Sequence, residues 1–432
     1  MVGSFWLLPA LLVGMTMVLS WALLRLDLFY SFRIEHSFFA LFGGQADAAR
    51  QLLATIAGSL ITVISISFSI TILALQQVAT QYSPRVLRNF TGDRVNQVVL
   101  GSYLATFVYA LLTLRTVRAD SADSGAFVPA LSITFGLVLT LLCIGLLILF
   151  ISHISSTLQV ENIVRRIHGE LMGQLDNLFP EQIGESAPDL RTPQDVFAEL
   201  VDGLEAFAVP CDATGFVQAL DYAPLSRTEA SAIRAVFIRP RVGDFVIEGE
   251  PVITVCASTA PDADQHRLLL KAMVVGGQRS IYQDPLFAIE QLVDIALRAL
   301  SSGINDPATA ANVLFQLTHS LCRLSVRGFP PVVRVFEGNT ILFVFNAPPW
   351  EHYVMAAYSH IRRAARGQIG LLEVLIRQLQ RLATLAPTPD RKEPVIQQLV
   401  EVKQQVIADS LHPADRERLL HLIDRALFDI GP

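Results

Sequence analysis

The chain has 432 residues, 52% of them apolar and only 17% charged, with a formal net charge of -6. A charged share that far below the usual quarter, with a positive mean hydropathy, places it among membrane proteins before any segment is read. Mild acidity without a long basic run excludes nucleic acid as a main partner, and the length allows two or three domains.

A helix that crosses a bilayer needs about 20 mostly apolar residues. Four stretches qualify: residues 5–24, the core at 53–75 of an uncharged run over 51–84, residues 98–114 and residues 127–154. The first has no basic leader and too long an apolar run for a signal peptide, so it reads as a retained span. No Asp, Glu, Lys or Arg falls inside the four spans so bounded, which argues against an ion-coupled transporter, since proton relays need such residues. Four spans place both termini on one side.

The positive-inside rule gives a tie: Arg25, Arg33, Arg50, Arg115 and Arg118 flank one face, and Arg85, Arg88, Arg94, Arg165 and Arg166 the other. The cysteines Cys143, Cys211, Cys256 and Cys322 are far apart and show no C-x-x-C spacing. That pattern predicts neither a disulfide framework nor a zinc site, but free thiols in a reducing compartment. It favours a multi-pass protein of the bacterial inner membrane with a cytoplasmic soluble half.

The second span, "TIAGSLITVISISFSITILALQQVATQYSPR", is polar along one side. At about 100° per residue, Thr55, Ser59, Thr62, Ser65, Ser69, Gln76, Thr80 and Ser83 share an arc of about 120°, and Ser67 and Thr71 lie well off it. Such a stripe fits close helix packing, with hydroxyls bonding across or back to their own turn. The rival reading is a water-lined path, for which Thr55, Ser59, Thr62, Ser65, Ser69, Gln76 and Thr80 are the pore-lining candidates. Arg85, Arg88 and Arg94 follow at the membrane edge, among lipid phosphates or around a pore mouth.

Residues 1–156 thus form a four-helix transmembrane domain. Residues 157–195 read as an amphipathic helix and a Pro-rich linker, residues 196–347 as an α+β domain and residues 348–432 as a helical region. In the α+β part, "GFVQALDY", "IRAVFI", "DFVIEG" and "PVITVCA" are short, β-branched and alternating. "RPRVGDFVIEGEPVITV" resembles the hammerhead turns of biotinyl- and lipoyl-type barrels, implying a small barrel-sandwich-like β unit. The Met-flanked lysine that such domains modify is missing, so no attached cofactor is expected. "PPVVRVFEGNTILFVFNA" reads as a hairpin around Gly338-Asn339, and the tail as helices broken near residues 367–370, then helices over 394–408 and 413–428.

"RSIYQDPLFAIEQLVDIALRALSSGINDPATA" carries Asp-Pro twice. Asp284 and Asp306 are N-cap residues with Pro285 and Pro307 at the first helical position. The first helix runs over residues 286–301, with Gly303 at its C-cap. On that almost wholly apolar helix Glu290, Asp294 and Arg298 are spaced i, i+4, i+8 and share one face. They form either an internal salt network, with Arg298 or another cation between the carboxylates, or a ligand or divalent-cation site with Arg279 and Asn305 as further candidates. No dedicated metal site is expected.

On "ALQQVATQYSPRVLRNF", "GDFVIEGEP" and this last stretch, the chain resembles the bacterial DUF2254 family of predicted membrane proteins over nearly its whole length. The resemblance implies the architecture and a membrane location, not an activity. The chain departs from the family pattern at Ser302 and at Glu290. No G-x-S-x-G, Walker A, H-E-x-x-H or dinucleotide glycine pattern occurs, and His352 and His360 stand two turns apart, a poor zinc spacing, so no enzyme is expected. Two readings remain. One is a homo-oligomeric passive pore with a cytoplasmic regulatory domain. The other is a membrane-anchored sensor or scaffold with a ligand-binding cytoplasmic domain. The implied partners are the lipid bilayer, further copies of the chain and a small ligand or ion.

Overall fold

The computed structural model describes residues 6–30, 46–81, 94–118, 127–157, 159–179, 205–221, 224, 233–329, 333–334 and 342–431. It divides into two compact units, Met1–Asn162 and Ile163–Pro432.

The first unit holds α1 (Leu7–Tyr30), α2 (Ala46–Gln81), α3 (Arg94–Thr116) and α4 (Ala130–Thr157), each long and apolar enough to cross a membrane. At 1.5 Å per residue, α2 is about 54 Å long, well beyond a hydrocarbon core of about 30 Å. The innermost helix is α3, with Tyr103 and Tyr109 fully buried. Gly101 lets α1 lie against it, because a Cβ there would stand 2.8 Å from Leu12 Cδ1 and 2.9 Å from Pro9 Cα. Tyr109 donates to the Ser132 carbonyl at 2.8 Å and ties α3 to α4.

One expectation needs correction. The first helix does not stop at residue 24 but runs to Tyr30, taking in Arg25 and Asp27. Asp27 is buried and accepts hydrogen bonds from the Leu131 N–H (3.0 Å), the Ser132 N–H (2.9 Å) and the Ser132 hydroxyl (2.6 Å). It occupies the first turn of α4, where unpaired N–H groups and the helix dipole favour an anion. Asp27 thus fastens α1 to α4.

Helix α5 (Val160–Leu178), most of which belongs to the second unit, buries Ile163, Val164, Ile167, Leu171 and Leu175 along one stripe. The Pro-rich linker of residues 181–195 lies outside the described residues. Two small sheets follow. One runs β1 (Glu205–Pro210), β5 (Pro251–Ala257), β3 (Ile233–Ile238), β8 (Leu342–Phe345), β7 (Val333–Arg334), antiparallel except for the parallel β3–β8 pair. The other is the antiparallel β4 (Phe245–Val246), β2 (Gly215–Leu220), β6 (Met273–Gly276). Both sheets share one core, with Val209, Val217, Val236, Val246, Val255 and Leu269 at its centre. They do not join into a closed barrel among the described residues. Gly243 and Gly249 take φ of +99° and +85°, which only glycine adopts cheaply, and their N–H groups donate to Val217 O (2.8 Å) and Cys211 O (2.9 Å). The β7–β8 pair is antiparallel as the hairpin reading requires; its turn at residues 338–339 lies outside the described residues.

A short helix, α6 (Ala263–Leu270), is closed by an Asp262 capping box. The helical layer then comprises α7 (Pro285–Ala299), α8 (Pro307–Ser325), α9 (Trp350–Ala364), α10 (Ile369–Leu385), α11 (Pro389–Ala408) and α12 (Pro413–Ile430). Leu314, Leu321, Val354, Leu375, Leu379, Leu399 and Ile423 are wholly buried in it. Gly367, at φ +76°, makes the break between α9 and α10. The helix expected over 394–408 begins earlier, at Pro389, and holds Pro394 within its second turn.

Candidate functional site

The Asp-Pro pairs act first as caps. Asp284 Oδ1 accepts from the Phe287 N–H at 3.0 Å, and Asp306 accepts from the N–H groups of Ala308 and Thr309 (both 3.1 Å) and from the Thr309 hydroxyl (2.6 Å). Helix α7 ends at Ala299 with Leu300 as C-cap, earlier than residue 301. The left-handed residue in the α7–α8 link is Asn305 (φ +50°), not Gly303. A short polar side chain tolerates that conformation.

Asp284 does more than cap. Its Oδ2 accepts from Arg279 Nε at 3.0 Å and Nη2 at 2.7 Å, while Arg279 Nη1 donates to Glu290 Oε2 at 2.7 Å. The guanidinium also lies 4.6 Å from the centre of the Phe287 ring. Asp284 is only 3% exposed and Arg279 19%. Gly243 is pressed against this pair: a Cβ there would collide with Asp284 Oδ2 and stand 3.0 Å from Arg279 Nη2. The turn "GDFVIEG" and the segment "RSIYQDP", some forty residues apart, thus meet at one buried ion pair. Burial pushes the Asp284 carboxyl above the usual carboxylate range, against the pull of Arg279. Buried Tyr353 belongs to the same neighbourhood. Desolvation and then the Asp284 charge raise its hydroxyl, with Arg241 opposing. Arg241 in turn donates to Asn346 Oδ1 at 3.0 Å and stands 3.3 Å from His352 Nδ1.

Of the candidates read from the sequence, Arg279 and Glu290 come together with Asp284. Farther along α7, Asp294 is half-buried and Arg298 exposed; the cation on Glu290 is Arg279. Asn305 is exposed and accepts from Gln368 Nε2 at 2.9 Å. Arg241, Gly243, Asn346 and Tyr353 were not anticipated as neighbours of this cluster, since nothing local marks a contact between turns so far apart. Among the described residues no group of three His, Cys, Asp or Glu could hold a metal ion. A depression of about 350 Å³ on α10, lined by Arg377, Gln380, Arg381, Thr384 and Leu385, contains none of these candidates. Cys143, Cys211 and Cys256 are buried free thiols, and Cys322 is half-buried.

In α2, the hydroxyls of Thr55, Ser59, Thr62, Ser65 and Ser69 donate to the carbonyls of Gln51, Ile56, Gly58, Ile61 and Ser65 at 2.7–3.0 Å. These residues and Gln76 are exposed. Ser67 and Thr71, which lie off the stripe, are buried with Leu53, Ile56, Ala57, Leu60 and Ala74. The stripe therefore faces away from the contacts that α2 makes with the other described helices. The Thr80 side chain, Arg85 and Arg88 lie outside the described residues, while Arg94 is exposed at the start of α3.

A family model described as predicted membrane protein (DUF2254) matches residues 2–383. The chain belongs to this family. The DUF2254 match takes in the four apolar helices, both sheets and the Arg279–Asp284 pair, and ends within α10. Uncharacterized proteins of Mycobacterium bovis and Mycobacterium tuberculosis are each 31% identical over 391 residues, covering 89% of this chain and 73% of theirs. No solved structure matches.

Proposed function

We propose that the protein is a homo-oligomeric passive pore of the bacterial inner membrane, its lumen lined by α2, with the soluble unit acting in the cytoplasm as a regulatory domain and catalysing no reaction. The observation that carries this is the direction of the stripe. Its hydroxyls are exposed on the side of α2 opposite Leu53, Leu60 and Ser67 among the described residues, where lipid, water or another copy can meet them. Lipid offers nothing to a row of hydroxyls, whereas a ring of copies turns them toward a common axis. Free cysteines support the cytoplasmic side. The sheet pair serves as a barrel-sandwich-like scaffold, supported by the two glycine turns, and carries no attached cofactor.

A second reading, a membrane-anchored sensor without a pore, is favoured by one observation: each stripe hydroxyl from Thr55 to Ser69 already bonds to its own helix and so has no need of water. Single cysteines at 55, 59, 62, 65 and 69, in a Cys143→Ser background, separate the two, because thiol labelling needs thiolate and thiolate needs water. A pore gives reactivity with membrane-impermeant reagents that repeats every three to four positions and falls at Ile61, Ile64 and Ile72, together with unitary currents in planar bilayers. Inertness throughout in intact oligomers overturns the pore and leaves the sensor.

A further inference from the structure

We infer that the seam between α5 and α8 is an acid-sensitive latch built on His168 and His319. Their rings face each other with centroids 5.1 Å apart and planes tilted by 31°. His168 Nε2 is buried and has no hydrogen-bond partner among the described residues, whereas the His319 residue is exposed. Neutral imidazoles stack; two imidazolium ions at this spacing repel, and the buried nitrogen has no acceptor to receive a proton's hydrogen bond.

The other charged or titratable groups on the two helices are Glu161, Arg165, Arg166, Glu170 and Asp176 of α5 and Cys322 and Arg323 of α8, with Arg327 just beyond and Arg381 of α10 beside Cys322. Asp176 takes Arg323 at 3.5 Å and also binds Arg327, and Arg327 donates to the Phe179 carbonyl at 2.8 Å. The C-terminal end of α5 is therefore held by ion pairs, while His168 lies in the middle of the helix, between the buried Ile167 and Leu171. Burial, and then the charge of His319, lower the affinity of His168 for a proton. A histidine held below its unfolded value near 6.5 contributes full stability above that value, and this is lost as pH falls from there toward its folded pKa. The boundary between the two units falls within α5, so loosening it acts on the stretch of chain that connects them.

Hydrogen exchange on the full chain in detergent micelles, at about pH 7.5 and about pH 5.5 and corrected for intrinsic rates, tests this. Amides of residues 163–175 should exchange about tenfold faster at the acid pH, with residues 310–325 following. His319→Gln, at an exposed position, should cut that gain by about threefold or more, and His168→Gln should do the same. Equal protection at both pH values, or an acid gain undiminished in both variants, overturns the latch.

Discussion

The two glycines of the β3–β5 turns separate two costs that a single substitution would confound. Gly249 has positive φ and open space around its missing Cβ, whereas Gly243 has positive φ and the Arg279–Asp284 pair against it. Gly249→Ala should lower stability by about 1–2 kcal/mol, the left-handed penalty alone, and Gly243→Ala by clearly more, both read from thermal melts of the purified protein. Asp306→Ala removes a cap worth about 0.5–2 kcal/mol. The Thr309 hydroxyl and N–H hold the Asp306 carboxyl below its ordinary range. Its contribution is therefore present above the unfolded value of about 3.9 and lost as pH falls through the lower folded value, so the gap between wild type and Asp306→Ala should close in strong acid. The caps were legible because a cap is local: Asp, Pro and the next N–H groups lie within four residues. The contact that makes Gly243 different from Gly249 was not, because it depends on a partner brought in by the fold.

At the scale of the element, α7 shows how a helix can be read correctly and its charges only half so. The common face of Glu290, Asp294 and Arg298 follows from spacing. The cation that neutralises Glu290 comes from Arg279, ahead of the helix, and it reaches Asp284 with two nitrogens. Arg279→Ala strands a carboxylate that is 3% exposed and should cost about 3–5 kcal/mol, as breaking a buried pair does. Arg279→Lys should recover little, since a point charge cannot reproduce the fork. The sign with pH is fixed as well. A carboxyl whose folded pKa is raised contributes most below its unfolded value and loses that contribution as pH rises through the folded one. Without Arg279 the rise is larger, so the variant should fall further behind wild type at pH 8 than at pH 5; an equal deficit at both, in circular-dichroism melts, would refute the charge-pair account. Among the strands, β3 and β5 were legible as short β-branched segments, but the alternation expected of them is not their burial pattern: both are almost wholly buried. β1 was missed: it is mostly exposed and ends in Pro210, as an edge strand can.

For the whole molecule, the division into an apolar helical unit and a mixed soluble unit follows from hydropathy alone, since no other environment accepts four such helices. The reach of α1 to Asp27 does not, because a carboxylate that caps a neighbouring helix looks in the sequence like the end of a span. The stripe on α2 was legible too, but not its direction: periodicity groups Thr55 with Ser69 without saying whether that side or the side of Ser67 is buried. The packing decides it, and two substitutions on one helix should then have different consequences. Ser67 is 1% exposed, so Ser67→Leu overfills the subunit core at a cost of about 1–3 kcal/mol and should lower the melting temperature of every assembly state. Ser65, two residues earlier, points away from that core. Ser65→Leu should leave the fold of the single subunit intact and instead change how copies associate, visible in native mass spectrometry from mild detergent as a shifted distribution of oligomers. Wild-type protein that is monomeric under those conditions, or a Ser65→Leu variant that loses stability as Ser67→Leu does, would remove the ground for placing the stripe at a contact between copies.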